Sequence, residues 1–509
     1  MSATAERLPA GSDRALAPGT RVRLLPETWR GEGGRALFGG SPTRMLFLTP
    51  AACAVLGEGE FAVEDRRSER LARMLLDRGF AEIAAARARW TAADVTVVVP
   101  VKDRPVALAR LLDALGVGGG LRVIVVDDGS ADLAATIEVT RRPGVSLLCH
   151  DTSRGPAAAR NTGLRAVTTD LVAFADSDVV PVPGWLEPLL AQLEDPAVGV
   201  TAPRIAGLQG HDRGGVVARY EAVRSSLDLG PLAAVVRPGA KVPYVPSACL
   251  LGRVAAFGDG FDERMHVGED VDLVWRTVGC GWLVRYVPDA VVAHDHRVDA
   301  RRWFLRKAFY GTSAAPLAMR HGDAVAPVVL GPMTLAVALA VVAQRRWSTG
   351  LAVAVVGAVT ARTALSLEQS TRPWAVAARL APYGLVASLQ QSSAAMTRHW
   401  WPAMVPLALA SRRARRAWLT AAVLEGLVDW RRSRSDLDPL THVVLRRLDD
   451  LAYGAGLWWG ALRHATTAPL RPARGRSFLA LRRGPGRRGG EGGRRWPGTW
   501  RRGTGTHRP

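Results

Sequence analysis

From residue 94 the chain settles into a regular alternation of apolar runs and segments of helical period. "VTVVVPV" (Val95 to Val101) is a continuous, mostly β-branched run, "PVALARLLDAL" carries apolar residues at helical spacing, and "LRVIVVDDGS" is a second apolar run. "GPAAARNTGLRAV" then reads as a helix leading into a third run, "LVAFADSD". Strands apolar on both faces and alternating with helices predict a parallel α/β sheet. Ligands of such sheets bind beyond the carboxyl ends of the strands. Asp103, Asp127 with Asp128, and Asp176 with Asp178 follow three of these ends, so one sheet edge is expected to gather several carboxylates.

The pattern differs on either side. Residues 1–90 predict a small module of strands followed by helices. "TRVRLLPETW" and "GRALFGGSPTRMLFLTP" read as short strands, and a helix opens at Thr49 or Pro50. A second, "ERLARMLLDRGF", is expected to be N-capped by Ser68 and to end near Gly79. Residues 91–320 hold the α/β unit and residues 321–469 an apolar helical region. There Ala324 to Ala343 is free of charge over 20 residues, enough for a helix of about 30 Å. "WSTGLAVAVVGAVTA" follows but is shorter, and further apolar stretches near 380–397, 399–410 and 451–462 are split by arginines. One or two membrane-inserted helices are expected, with arginines holding their flanks at the cytosolic face. A buried soluble bundle is the competing reading, which Pro327 and Pro332 favour. Residues 470–509 are Arg/Gly-rich, lack a packable core and are expected to be disordered.

Length and charge refine this picture. At 509 residues the chain is too long for one ordinary domain. Its formal charge of +21, almost all from arginine, suits anionic lipid or phosphate-bearing substrates. No nucleic-acid-binding motif accompanies the basic segments, so no specific nucleic-acid partner is expected. The four cysteines are scattered without a CxxC pair, which fits buried thiols in a reducing compartment better than a disulfide framework. The first twenty residues lack a secretory apolar segment, so the catalytic part is expected at the cytoplasmic side of the cell membrane.

The carboxylates suggest the chemistry. Mg²⁺ or Mn²⁺ is commonly held by one or two carboxylates plus substrate phosphates. The D-x-D of Asp176 and Asp178 would put one carboxylate on the ion and the other on the ion or a ribose hydroxyl. Pro100 and Asp103 end the first strand where a nucleotide base would be gripped. Asp127 and Asp128 end the second, with Gly129-Ser130 as a tight turn. Arg154, Arg160 and Asn161 surround a helix start, where charge and helix dipole favour a diphosphate. His294 or His296, after the apolar run of "VVAHDHRV", would add an imidazole to the metal. A dinucleotide-binding dehydrogenase is disfavoured, because no G-x-G-x-x-G follows the first strand.

"VVVPVKDRP", "VIVVDDGS", "GPAAARNTG" and "FADSDVVP", in this order and spacing, resemble the family 2 glycosyltransferases of GT-A fold over roughly residues 94–310. The resemblance implies a GT-A nucleotide-diphospho-sugar transferase core, a nucleotide-sugar donor, a divalent cation and inversion at the anomeric carbon. "HVGEDVDLVWR" resembles the family's acceptor-side E-D motif. Carried over, it makes Asp270 the base that deprotonates the acceptor, with Glu269 as the second claimant and a helix cap as the non-catalytic reading. Arg306 and Lys307 in "ARRWFLRKAFYG" lie where related enzymes keep a basic-aromatic element near the diphosphate or acceptor. An amphipathic helix lying on membrane is the alternative for that segment.

The front segment looks like the small winged, PqqD-like peptide-recognition modules of peptide-natural-product pathways, a stabilising cap being the alternative. Together with the core and the apolar C-terminal region, it resembles the glycosyltransferases of the mycofactocin system. That resemblance implies transfer of glucose from UDP-glucose to a peptide-derived precursor and growth of a short oligosaccharide. A polyprenyl phosphate or cell-wall glycan acceptor is the rival within the same class. A non-catalytic, membrane-associated peptide-binding scaffold is the rival of another class.

Overall fold

The computed structural model describes residues 14–84, 89–117, 120–207, 215–295, 299–330, 335–336, 340 and 343–474. At its centre is a nine-stranded sheet. Strands Leu171–Ala175, Val95–Val101, Arg122–Asp127 and Val145–Cys149 lie side by side and parallel. Val95–Val101 is buried throughout, because alternate residues enter cores on opposite faces: Val95, Val97 and Val99 on one, Val98 with Ile124 and Val126 on the other. The sheet continues through antiparallel Cys249–Arg253 to Val198–Gly207, Leu283–His294 and the short Val179–Pro181. That last strand brings the D-x-D beside the end of Leu283–His294, with Val179 opposite His294.

The front module is docked onto this unit. Its strands form two three-stranded sheets over the helices Pro50–Leu56 and Arg66–Asp77. Thr49 caps the first helix. The second is capped by Asp65 rather than by Ser68. Asp65 accepts from the Ser68 N–H at 2.8 Å, and the Ser68 hydroxyl accepts from the Asp65 N–H at 2.9 Å. Ser68 is thus the third helical residue of a reciprocal capping box, and the cap stands three residues earlier than expected. Arg73 pairs with fully buried Asp195 through both terminal nitrogens, at 2.6 and 2.7 Å. The Gln192 amide bonds both backbone groups of Ile83, acting as a strand partner for the edge strand Ala81–Ile83.

The C-terminal region corrects the expected membrane span. Ala324 to Ala343 does not begin as a helix: residues 322–325 form a 3-10 turn, and Val329–Leu330 pairs in parallel with Ala473–Arg474. Among the described residues, the helix long and apolar enough to cross a membrane is Arg346–Ser366, with mean hydropathy 1.4 and 11% of its apolar window buried. The sequence pattern had undercounted it, because helix runs on past the apolar core of the segment at both ends. Helices Pro373–Ala394, Trp401–Ala410, Arg412–Ser433 and Pro439–Arg463 follow. The last packs against Ala300–Gly311 of the catalytic unit. The backbones approach so closely that a Cβ on Gly456 would collide with the Ala308 carbonyl, and one on Gly311 with the Tyr453 carbonyl. Residues 475–509, most of the expected disordered tail, lie outside the described residues.

Candidate active site

The carboxyl end of the second strand builds the first part of the site. Asp127 Oδ1 accepts the Ser130 N–H at 2.9 Å, while its Oδ2 is buried and accepts no hydrogen bond. Gly129 turns the chain with φ +71°, and a Cβ there would sit 2.7 Å from the Ser153 nitrogen. Asp103, also at positive φ, ties the first strand's loop to this turn by accepting from the Ala131 N–H at 2.7 Å. Pro100 lies inside the sheet, buried and in register with Val126, one residue before its strand ends.

Asp128 has a different job from its neighbour. Its carboxylate accepts from His150, Ser153 and the backbone N–H groups of Arg154 and Gly155, each at 2.8 Å. Burial alone would raise its pKa, but these donors outweigh it and hold the group below its ordinary value. With four bonds already made inside the protein, Asp128 shapes the loop that starts helix Pro156–Ala166. Asn161 is likewise structural, bonding both backbone groups of Phe261 at 2.8 Å. Arg154 is half exposed and reaches Glu263 at 3.1 Å.

Arg160 joins the two acidic motifs. It is 4% exposed, donates to Asp176 at 2.6 Å and to Glu269 at 3.3 Å, and lies over the Phe261 ring. Burial works against its charge, but Asp176 and Glu269 keep the guanidinium protonated. Asp178 pairs with Arg104 and stands 3.5 Å from His294 Nε2. Burial would raise the Asp178 pKa, yet His294 and Arg104 depress it to about 2. His296 lies outside the described residues.

The metal set is thus divided. Asp178 and His294 face each other, whereas Asp176 faces Arg160. Among the described residues no three His, Cys, Asp or Glu side chains gather as a metal-holding group. The two carboxylates suit a hard divalent cation, and the His294 imidazole adjoins one of them at the D-x-D turn. Arg104 and Arg160 balance the two carboxylates in this structure.

Glu269 and Asp270 open helix Glu269–Gly279 behind Gly268, at φ +80°. Asp270 accepts from the Val271 N–H at 2.8 Å and the Ser247 N–H at 3.3 Å. Burial, then the neighbouring Glu269 charge, raises its pKa to about 7. A carboxylate poised there is suited to take a proton near neutral pH. Asp272, two residues on, is structural: it bonds Arg276 and His321 at 2.8 and 2.9 Å.

Lys307 departs from expectation. It is 3% exposed and bonds Glu221 and Ser226 at 2.8 Å, with Asp449 at 3.4 Å, so its charge is consumed inside the contact with helix Pro439–Arg463. It shares the buried face of its helix with Trp303 and Gly311, and this spacing of four aims it away from solvent. Arg306 lies on the exposed face, where its charge acts on Tyr310. Tyr244, Tyr310, Arg398 and Tyr453 were not anticipated from sequence, and they carry no motif. Arg104 was within reach of it, since it directly follows Asp103 in "VKDRP".

The sheet order, the strand-end carboxylates and the E-D helix define a glycosyltransferase of GT-A fold. Residues 96–261 match the sequence model of Glycosyl transferase family 2. The chain belongs to this family, and its likeness to the pre-mycofactocin glycosyltransferase of Mycobacterium tuberculosis (strain ATCC 25618 / H37Rv) extends far beyond the matched segment. The two are 47% identical over 483 residues, covering 92% of this chain and 99% of the relative. The N-acetylglucosaminyl-diphospho-decaprenol L-rhamnosyltransferase of the same strain is 32% identical over 238 residues, 40% of this chain and 76% of the relative. Among solved structures, a Pyrobaculum calidifontis mannosyltransferase in complex with GDP-Man and Mn²⁺ aligns at 21% identity and TM-score 0.35, covering 58% of this chain and 85% of that one.

Proposed function

We propose that the protein transfers glucose from UDP-glucose to the peptide-derived mycofactocin precursor, with inversion, and adds further glucose units to the product. The observation that carries this reading is Asp270, a carboxylate titrating near 7 and linked through Glu269 and Arg160 to the D-x-D. The buried, unpartnered Asp127 Oδ2 suits the imide N–H of a uracil base. The near full-length likeness to a pre-mycofactocin glycosyltransferase supports the acceptor.

In this mechanism the acceptor hydroxyl attacks the anomeric carbon while Asp270 takes its proton and the nucleoside diphosphate leaves. Proton transfer of this kind contributes about 10²–10⁴-fold. Arg160 and Arg104 place positive charge beside the leaving group's site, where a preorganised cation is most effective. A divalent cation, Mg²⁺ or Mn²⁺, would be held by Asp178, His294 and Asp176 and would supply Lewis-acid stabilisation of the diphosphate.

The protein is further proposed to work at the cytoplasmic face of the cell membrane. Helix Arg346–Ser366 exposes Trp347, Leu351, Val353 and Leu365. Gln344 bonds the Arg413 carbonyl at 2.8 Å, which joins the Arg345-Arg346 pair to the exposed arginines at 412, 413, 415 and 416. Such a cationic group beside apolar side chains suits an anionic lipid surface.

Mass spectrometry of the precursor after incubation with enzyme, UDP-glucose and Mg²⁺ or Mn²⁺ tests the reading. A ladder of hexose additions is expected, and an unmodified precursor beside a glycosylated polyprenyl phosphate would replace the acceptor. The decaprenol-linked acceptor in the name of the 32%-identical relative is what favours that second reading.

A further inference from the structure

The segment "YGAGLWWG" of helix Pro439–Arg463 has glycine at 454, 456 and 460. Each costs about 1 kcal/mol of helix propensity relative to alanine, so three within two turns need a reason. All three face backbone: a Cβ on Gly454 would strike the Arg398 carbonyl, on Gly456 the Ala308 carbonyl, and on Gly460 the Thr312 carbonyl. Gly311, in turn, admits the Tyr453 carbonyl. The helix is thereby pressed between the 395–399 turn and helix Ala300–Gly311, and Tyr453 is set next to both.

The 395–399 turn is π-helical and closes with the Trp400 N–H donating to the Ala395 carbonyl at 2.9 Å. Single π turns recur at functional sites because they re-aim side chains. Here the turn lays the Arg398 guanidinium over the Tyr453 ring, 3.9 Å from its centroid. The carboxylate paired with Arg398, Asp450, stands at 3.8 Å, too far for a hydrogen bond, so the guanidinium edge is not consumed. Tyr310 precedes Gly311, and Tyr244 lies three residues before Ser247, whose N–H bonds Asp270. The Asp270 charge acts on both the Tyr310 and the Tyr244 hydroxyls, and Arg398 and Tyr453 act on Tyr244 as well. Three aromatic rings and one cation therefore gather around Tyr244 and the base, with Tyr310 also within reach of the Asp176 charge.

We propose that Tyr244, Tyr310, Arg398 and Tyr453 form the acceptor subsite, built jointly by the catalytic unit and the C-terminal helices. Tyrosine rings offer flat amphipathic faces, and Arg398 offers donors in a fixed plane. The subsite takes an aromatic ring or the C–H face of a pyranose, bearing a hydrogen-bond-accepting oxygen. This rests on the transferase reading, with Asp270 as base, and extends it to what is glycosylated.

Binding and turnover are measured separately on the full chain. Phenyl β-glucoside and methyl β-glucoside, titrated calorimetrically, report the subsite without any reaction, and UDP release from UDP-glucose in acceptor-free buffer reports the donor side. Arg398→Gln and Tyr453→Ala are expected to weaken glucoside binding by about 10-fold or more, with Tyr453→Phe close to wild type. A stronger effect on the phenyl than on the methyl compound marks an aromatic acceptor, and equal effects mark a sugar ring; either supports the subsite. Unchanged glucoside affinity in folded Arg398→Gln and Tyr453→Ala overturns it. Absence of UDP release from the wild type would count against the donor reading alone, since glucoside binding still decides the subsite.

Discussion

Arg160 donates to Asp176 at 2.6 Å from inside the protein and holds Glu269 with its other terminal nitrogen. Donor-side and acceptor-side carboxylates thus share one buried cation. Removing it leaves two acidic groups without their counter-charge, and breaking a buried ion pair costs about 3–5 kcal/mol. Arg160→Met is expected to lower kcat by about 10²-fold or more and to lower Tm. Arg160→Lys should recover part of the stability but little of the rate, because an ammonium cannot span both carboxylates. Steady-state kinetics and thermal melts of the two variants check this.

Asp270 fixes the pH dependence. Its pKa is raised to about 7, and a base acts only when deprotonated. The rate is therefore expected to climb as pH rises through about 7 and then level off. Asp270→Asn should lose about 10²–10⁴-fold in kcat and flatten that limb. Because the raised pKa lies above the unfolded value, the native state holds the extra proton, and stability falls as pH rises between the two. At pH 8 the asparagine variant should therefore melt higher than wild type.

Lys307 should behave as a structural residue. Lys307→Ala strands Glu221 and Asp449 in the interior and is expected to cost about 3–5 kcal/mol. The UDP-glucose KM of the folded fraction should stay unchanged. A selective rise in donor KM with normal stability would return Lys307 to the diphosphate.

The front module gives a parallel case. Asp195→Ala removes the buried partner of Arg73, with an expected loss of about 3–5 kcal/mol. Chemical denaturation should show an earlier midpoint, although Asp195 lies far along the chain from every candidate catalytic residue of the E-D motif.

Membrane association is expected to depend on salt. Replacing Arg412, Arg413, Arg415 and Arg416 with glutamine should weaken sedimentation with anionic vesicles, by about 1 kcal/mol for each arginine near the surface. Neutral vesicles should show little change.

How much of this was legible beforehand follows the range of the interactions. The parallel strands were readable because burial on both faces leaves an uninterrupted apolar run, and the carboxylates because the strand ends place them. Asp127 and Asp128 looked equivalent in sequence. Their roles separate only when the 150–155 loop folds back and saturates one of them. Lys307 misled because a cation beside aromatics reads the same whether its partners are phosphates or the distant Glu221 and Asp449. Arg398 and Tyr453 lay beyond reach, since over a hundred residues separate them from Asp270 and only the packing of a late helix brings them back.

That packing bears on how the enzyme can be handled. Glycine at 311, 454, 456 and 460 lets main chain meet main chain, while Lys307 ties one side to Asp449 on the other. A version trimmed after the transferase motifs would expose a carbonyl-lined seam and strip the Lys307 ammonium of Asp449. The last helix is as much a part of the enzyme as the D-x-D, and shortened clones should come out insoluble.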